Sequence, residues 1–232
     1  SREPFKILFA GIDGSGKSTC LDFLISQLAK EYRVLKIGPS GPFMFCNGIK
    51  KKLCDNFLYS AAGGGRRFYG NPYLRGVFIT LRFLCNFVMA QYLRFRVGAD
   101  VIMYESDTLL HPCVYITYYA PWFKRVSIRS RFSIIHHLFG PKRNFVIFYL
   151  DADPVTAMER IKGRDTAVQR HENIHDLGIL KRELDCVVEV ALTKGVEIVR
   201  INTNGRSWES VREEIAAILK GRFSVLCQAT KT

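Results

Sequence analysis

Residues 11–19 of this 232-residue chain, GIDGSGKST, have the residue types and the spacing of a loop that binds phosphate groups. Glycines let the backbone turn so that successive N–H groups surround an anion, and the positive end of a following helix adds to the field. A lysine after the second glycine can reach the β and γ phosphates, and the next hydroxyl can ligate Mg²⁺. We therefore expect a site for ATP and Mg²⁺, formed by Gly11, Asp13, Gly14, Ser15, Gly16, Lys17, Ser18 and Thr19, with Ser18 as a metal ligand.

The segments on either side of this loop are the ones that a phosphate-binding loop requires. Residues 5–10, FKILFA, are short and apolar, which predicts a buried strand. Leu21, Leu24, Ile25 and Leu28 follow at helical spacing. The alternative is an ordinary turn rich in glycine and serine, and these flanks argue against it.

Strands and helices are predicted to alternate along the rest of the chain. Five short apolar segments predict strands: 5–10, 33–37, 101–104, 145–150 and 196–201. Helical periodicity predicts long helices at 76–97, 154–162, 172–193 and 207–220, the second of them capped by Asp153 ahead of Pro154. This alternation predicts an α/β fold, a five-stranded parallel sheet with helices on both faces.

Two carboxylates follow the third predicted strand. Glu105 and Asp107 come directly after residues 101–104, at the carboxyl end of the strand, where open α/β sheets bind ligands. A carboxylate there can orient Mg²⁺ or accept a proton from an acceptor hydroxyl. The alternatives are a pair of solvated loop acids, or a helix N-cap for Asp107. We predict a catalytic and metal-ligating role for Glu105 and a substrate-binding role for Asp107.

The formal net charge of +13 is concentrated in one part of the chain. Residues 1–31 and 151–232 each carry equal numbers of basic and acidic side chains, so the whole excess lies in residues 32–150. Such an excess favours an acidic partner. Segment 118–132, YYAPWFKRVSIRSRF, has three open interpretations: core with a solvated basic face, a grip on an acidic acceptor, or a peripheral contact with an anionic membrane surface.

Seven cysteines are scattered along the chain without a Cys-x-x-Cys pair, which argues against a zinc site and a disulfide framework. Buried free thiols in a reducing compartment are the simplest account.

Residues 77–97 are the most membrane-like stretch, but arginines interrupt them and they predict a core helix. With no signal-peptide pattern visible, we expect a cytoplasmic protein. The adjacent His136 and His137 predict a structural or acceptor-side role, because neighbours on a helix face different ways.

At several points the sequence resembles the thymidylate kinases, a branch of the P-loop nucleoside monophosphate kinases. The similar stretches are FAGIDGSGKST at 9–19, IFYLDADPVTAMERIKGRD at 147–165, QRHE at 169–172 and INTNGRSWESVREEIAAIL at 201–219. The resemblance implies one P-loop kinase domain over residues 1–232, with an acceptor-side region at about 38–143 and a lid segment at about 160–172.

The resemblance also implies roles for three arginines. The family supplies a transition-state arginine from either the phosphate loop or the lid, and the loop sequence DGSG contains none. Arg164 and Arg170 of the lid are therefore the candidate catalytic arginines, acting with Lys17 and Glu105. Arg82 lies about where an acceptor-side arginine of the family falls, which implies substrate binding.

The implied activity is transfer of the γ-phosphoryl group of MgATP to a nucleoside monophosphate, dTMP by resemblance. The family usually has Asp-Arg-Tyr after its third strand, whereas VIMYESD places Glu105 and Ser106 there. Since that arginine would help to hold the acceptor phosphate, we expect weak use of dTMP. The alternatives are a kinase of the same fold acting on another anionic or membrane-associated acceptor, and a nucleotide-dependent binding protein. No nucleic-acid motif is present, so a nucleic-acid partner is not expected; a homodimer is one candidate assembly.

Overall fold

The computed structural model of the protein describes residues 3–38, 41–46, 49–52, 96–105, 108–119, 121–140, 144–164 and 172–228, together with residues 81, 88 and 92. Its strands are β1 Phe5–Ala10, β2 Val34–Gly38, β3 Gly41–Cys46, β4 Ile49–Lys52, β5 Val101–Tyr104, β6 Phe145–Asp151 and β7 Ile198–Asn202. Its α-helices are α1 Lys17–Leu28, α2 Leu110–Tyr119, α3 Ile128–Phe139, α4 Pro154–Lys162, α5 Ile174–Thr193 and α6 Trp208–Gln228. A short 3₁₀ helix covers Pro121–Arg125.

All five predicted strands are present, and they form the parallel part of the sheet. The strand order is β4-β3-β2-β5-β1-β6-β7. The pairs β2–β5, β5–β1, β1–β6 and β6–β7 are all parallel. The strand that precedes the phosphate-binding loop, β1, therefore lies inside the sheet between β5 and β6. The carboxyl ends of β2, β5 and β1 lie next to one another at one edge.

The predicted number of strands was wrong, because the described part of the chain forms a sheet of seven strands. An antiparallel hairpin of β3 and β4 extends it beyond β2. Cys46 pairs with Ile49, so only Asn47 and Gly48 connect the two strands. Asn-Gly is the preferred pair for such a two-residue connection, and this signal was available in the sequence. Among the described strands, β4 lies at one end of the order and reads Ile-Lys-Lys-Lys.

The predicted helices are found, although two helices were missed. Asp153 caps α4 as expected, because its carboxylate accepts a hydrogen bond of 2.8 Å from the Val155 N–H. In the predicted helix 76–97, the described residues 81, 88, 92, 96 and 97 are helical and the others lie outside the described part of the chain. The missed α2 is apolar at almost every position, so no helical period marks a buried face. The missed α3 begins after the capping residue Ser127.

Helices cover both faces of the sheet, as predicted. Because successive side chains of a strand point to opposite faces, Leu8 and Ala10 join one core cluster while Ile7 and Phe9 join another. The first cluster includes side chains of α2, α3, α4 and α5, and the second includes side chains of α1 and α6. None of the described helices is both long enough and apolar enough to cross a membrane.

The described cysteines are free, but they are not all buried as expected. Cys20 and Cys113 are buried, Cys46 is partly buried and Cys186 is exposed on α5. Burial raises the pKa of the Cys20 thiol to about 11, against the smaller opposing effect of Arg212 and Arg160. Cys20 therefore stays protonated and unreactive near neutral pH.

An ion-pair network fastens β6 and β7 to α5. The Asp151 carboxylate lies 2.9 Å from Lys181 Nζ and 2.8 Å from Arg200 Nε. Arg200 also contacts Asp185 at 2.9 Å, and the buried Tyr149 donates a hydrogen bond of 2.7 Å to the same carboxylate. Burial opposes ionisation of Asp151, but the hydrogen bonds and charges of Lys181 and Arg200 prevail and lower its pKa.

We predict that Asp151→Asn lowers the free energy of unfolding at pH 6 by about 1 kcal/mol, because Lys181 and Arg200 lose an anionic partner. The pKa of Asp151 is lower in the folded than in the unfolded state, so this stabilisation is present above the unfolded value of about 4. It is lost as the pH falls through the folded value. Urea denaturation of both proteins between pH 6 and pH 2.5 tests this, and a difference that grows toward low pH would contradict it.

Candidate active site

The glycine loop joins the carboxyl end of β1 to the first turn of α1, which contains Lys17, Ser18 and Thr19. Gly14 and Gly16 have positive φ angles of 80° and 94°. A side chain at Gly14 would collide with the backbone of Ala157 in α4, and one at Gly16 would collide with the Trp208 ring of α6. Both positions therefore need glycine for conformation and for space.

The Lys17 ammonium lies inside this loop. Its Nζ donates hydrogen bonds to the carbonyl oxygens of Gly11, at 2.8 Å, and Ile12, at 2.9 Å. The Asp13 carboxylate lies 3.7 Å away. Lys17 is buried, with 9% of its surface exposed. The loop thus holds a positive charge at its centre, surrounded by oxygen atoms.

The loop also contains a buried hydroxyl that fits an anion site. Ser15 is fully buried. Its Oγ is one of three buried side-chain polar atoms in the described part of the chain that make no hydrogen bond. A buried hydroxyl without a partner is costly, and a phosphate oxygen could accept its hydrogen.

Ser18 and Glu105, both predicted from the sequence as metal ligands, are brought together. The Ser18 hydroxyl donates a hydrogen bond of 2.7 Å to Glu105 Oε1, although the two residues are 87 positions apart. The contact follows from the strand order, because β5 pairs with β1 and Glu105 comes directly after β5. Hydroxyl and carboxylate oxygens are the kind of ligand that Mg²⁺ prefers. In the described residues no group of three or more His, Cys, Asp or Glu side chains could hold a metal alone.

Lys36 on β2 completes a chain of charges that the sequence did not indicate. Its Nζ lies 2.8 Å from Asp22 of α1 and 3.5 Å from Glu105 Oε2. The Lys36 side chain is only 12% exposed. One Glu105 oxygen thus faces Ser18 and the other faces Lys36, which fixes the carboxylate. No sequence pattern marks a lysine inside a strand for this role.

Gly38 has no side chain, and the Glu105 carboxylate lies where a side chain at this position would be. A Cβ atom at this position would lie 2.5 Å from Glu105 Oε2. Gly38 is the last residue of β2, the strand beside β5. A larger residue would displace the carboxylate from Ser18.

Two side chains of α2 support the loop from the other side. The buried His111 contacts the Gly11 carbonyl oxygen through Nε2 at 2.9 Å, which requires the proton on that nitrogen. The Tyr115 hydroxyl lies 3.5 Å from the Asp13 carboxylate. These contacts were not predicted, because α2 itself was missed.

A second polar cluster lies where α4 and α6 meet the loop. The Arg160 guanidinium lies 4.4 Å from the centre of the Trp208 ring. Arg160 also donates hydrogen bonds of 2.7 Å to the Thr203 carbonyl and 3.2 Å to its hydroxyl. Burial lowers the pKa of Arg160, but an arginine remains protonated. The Trp208 ring packs against Gly16, so this cluster covers one side of the loop.

Of the two predicted lid arginines, the structure describes Arg164. Its side chain forms an ion pair with the buried carboxylate of Glu172, across the predicted lid. Arg170, Arg82 and Asp107 lie outside the described residues, as does Ser106. Their roles remain predictions.

Comparison with known proteins identifies the fold. No family model and no curated protein matches the sequence. A deoxyadenosine kinase from M. mycoides, solved with bound dCTP, matches with a TM-score of 0.59 and 14% identity, over 94% of this chain and 100% of that chain. A thymidylate kinase from Ehrlichia chaffeensis gives the same TM-score, identity and coverage. The chain therefore has the fold of the P-loop nucleoside and nucleotide kinases, which confirms the predicted resemblance at the level of the fold.

We predict that Gly38→Ala weakens the Mg²⁺-dependent part of ATP binding, because the new methyl group pushes Glu105 away from Ser18. The atom that the methyl group meets is the end of a flexible side chain, so the fold tolerates the change and the effect falls on the position of the carboxylate. Gly221→Ala on α6 is a matched control, since a Cβ there meets no atom within 4 Å. Titration calorimetry with ATP, with and without Mg²⁺, measures the effect. An unchanged Mg²⁺ dependence in Gly38→Ala would contradict the proposed position of Glu105.

Proposed function

We propose that the protein is an ATP-dependent kinase that transfers the γ-phosphoryl group of MgATP to a nucleoside monophosphate, with dTMP as the first candidate. The observation that carries this proposal is the contact of Ser18 with Glu105 beside the buried ammonium of Lys17. These three groups combine a cation for phosphate oxygens with two oxygen ligands for a metal ion. The two kinases of similar structure, one named for a nucleoside and one for a nucleotide, support the assignment.

The residues of the loop fit a triphosphate. Lys17 would offer its N–H donors to the β and γ phosphates in place of the loop carbonyls and Asp13. The Ser15 hydroxyl and the backbone N–H groups would donate to the remaining phosphate oxygens. Positioning and charge neutralisation of this kind account for most of the catalysis in phosphoryl transfer.

Ser18 and Glu105 would hold Mg²⁺, which when bound neutralises the charge of the phosphate oxygens. Lys36 keeps Glu105 oriented toward Ser18. Glu105 has a second candidate role, as the base that accepts a proton from an acceptor hydroxyl. A phosphate acceptor is already ionised and needs no such base, whereas a hydroxyl acceptor does.

Two features of the sequence bear on the identity of the acceptor. The charge excess of residues 32–150 suits an anion, while Ser106 replaces the arginine that would hold the phosphate of dTMP in the resembling family. A second candidate function, favoured by this replacement, is a kinase for another anionic acceptor, such as a phosphorylated sugar.

We predict that an ADP-release screen with MgATP finds only weak turnover of dTMP, because a bidentate arginine–phosphate contact is worth a few kcal/mol in a desolvated site. The panel contains nucleoside monophosphates, deoxyadenosine and phosphorylated sugars. Ser106→Arg should lower the KM for dTMP if the pocket otherwise fits. Efficient dTMP turnover by the unmodified protein would show that Ser106 does not limit this acceptor, and no turnover of any acceptor would argue for a nucleotide-dependent binding protein.

We predict that Lys17→Ala reduces phosphotransfer by about 100-fold or more, because a cation on the transferring phosphoryl group is lost. Lys17 is buried, so thermal unfolding must be measured alongside turnover. Lys30→Ala, at an exposed position after α1, is the control. Near-normal turnover in folded Lys17→Ala would refute the loop as the donor site.

We predict that Arg164→Ala or Arg170→Ala lowers kcat by at least about 10-fold with little change in the KM for ATP, because the contact forms as the lid closes. Arg164→Ala also removes one ion-pair partner of the buried Glu172 carboxylate, so Arg164→Lys serves as the charge-preserving comparison. If Arg164→Ala only lowers thermal stability and Arg170→Ala has no effect on kcat, the transition-state cation comes from another residue.

A further inference from the structure

A surface cavity lies far from the glycine loop. It is open to solvent on one side, has a volume of about 520 Å³ and is bordered by the second half of α3, the start of β6 and the turn between α5 and β7. Phe145 in its wall is the first residue of β6 and pairs with Lys6, at the beginning of β1. The glycine loop follows the other end of β1. The cavity and the loop are therefore separated by roughly 15–20 Å, the length of these strands.

The polar groups of this cavity are donors and cations. Lys194, at the end of α5, and His137 of α3 are exposed at its rim. His136 and the Ser133 hydroxyl add further hydrogen-bond donors. Among the described residues, no carboxylate lines the cavity. The nearest acid along the chain, Glu197, forms an ion pair with Arg222 of α6, on the opposite face of the sheet.

The remaining wall is aromatic. The His136 ring lies parallel to the buried Phe132 ring, at an interplanar angle of 9° and a centroid distance of 5.5 Å, which fixes the imidazole in the cavity. Phe145 is partly buried and contributes apolar surface. A volume of this size is within the range of small-molecule sites and is much larger than an inorganic anion requires.

We propose that this cavity binds a small organic anion with an aromatic ring, such as an aryl phosphate or an aryl carboxylate. The acidic group would lie near Lys194 and His137, and the ring would pack beside Phe145 and His136. This site is independent of the proposed kinase activity, because none of its residues belongs to the phosphate-binding loop or its supports.

Phenyl phosphate is a suitable probe, with inorganic phosphate and phenol as comparators. Titration calorimetry measures affinity, and the histidine ring signals in NMR spectra report the location. We expect phenyl phosphate to bind more tightly than either comparator and to shift the signals of His136 and His137. The double variant His137→Ala/Lys194→Ala should weaken binding by about tenfold or more. Both side chains are exposed, so this variant should keep the fold.

A control variant separates a contact in this site from a general loss of positive charge. Lys220→Ala, an exposed position on α6, should leave the affinity for phenyl phosphate within about twofold. Unchanged affinity in the double variant would overturn the proposal, as would binding that leaves the signals of His136 and His137 unshifted. Equal affinity for inorganic phosphate, or no binding at about 10 mM phenyl phosphate, would also overturn it.

Discussion

The buried ammonium of Lys17 is the constraint on which the rest of the site depends. A charge removed from water is costly unless oxygen atoms surround it, and here the carbonyls of Gly11 and Ile12 and the Asp13 carboxylate do so. Each of these oxygens must in turn be held. His111 contacts the Gly11 carbonyl. Helix α2 therefore supports the glycine loop, although the two are far apart in the sequence.

The order of the strands converts this local arrangement into a site. Because β2, β5 and β1 are adjacent and parallel, Lys36 of β2 and Ser18 after β1 both contact Glu105 after β5. The alternation of charges from Asp22 through Lys36 to Glu105 leaves no like charges in direct contact. Gly38 permits this packing by its lack of a side chain. In the proposed kinase, the triphosphate would bind at the edge of the sheet where the glycine loop follows β1.

The two parts of the chain differ in how their charges are balanced. Acidic and basic side chains pair closely in the C-terminal part of the chain, as in the network of Asp151, Lys181 and Arg200. The residues from Pro121 to Gly140 contain no acid, and two of their basic side chains, Lys124 and Arg131, instead contact Glu183 of α5. The positive charge that remains in residues 32–150 favours an acidic partner.

The sequence by itself determined the glycine loop between β1 and α1, the five parallel strands and the cap of α4, because each depends on residue types within a short window. The Asn-Gly pair at 47–48 also indicated the β3–β4 hairpin, which was not predicted. The tertiary structure alone decided the contact of Ser18 with Glu105, the role of Lys36 and the support from His111. These contacts join residues that are distant along the chain, and only the strand order and the packing of α2 bring them within hydrogen-bonding distance. Periodicity and local spacing cannot predict these contacts, because they depend on how the strands and helices pack together.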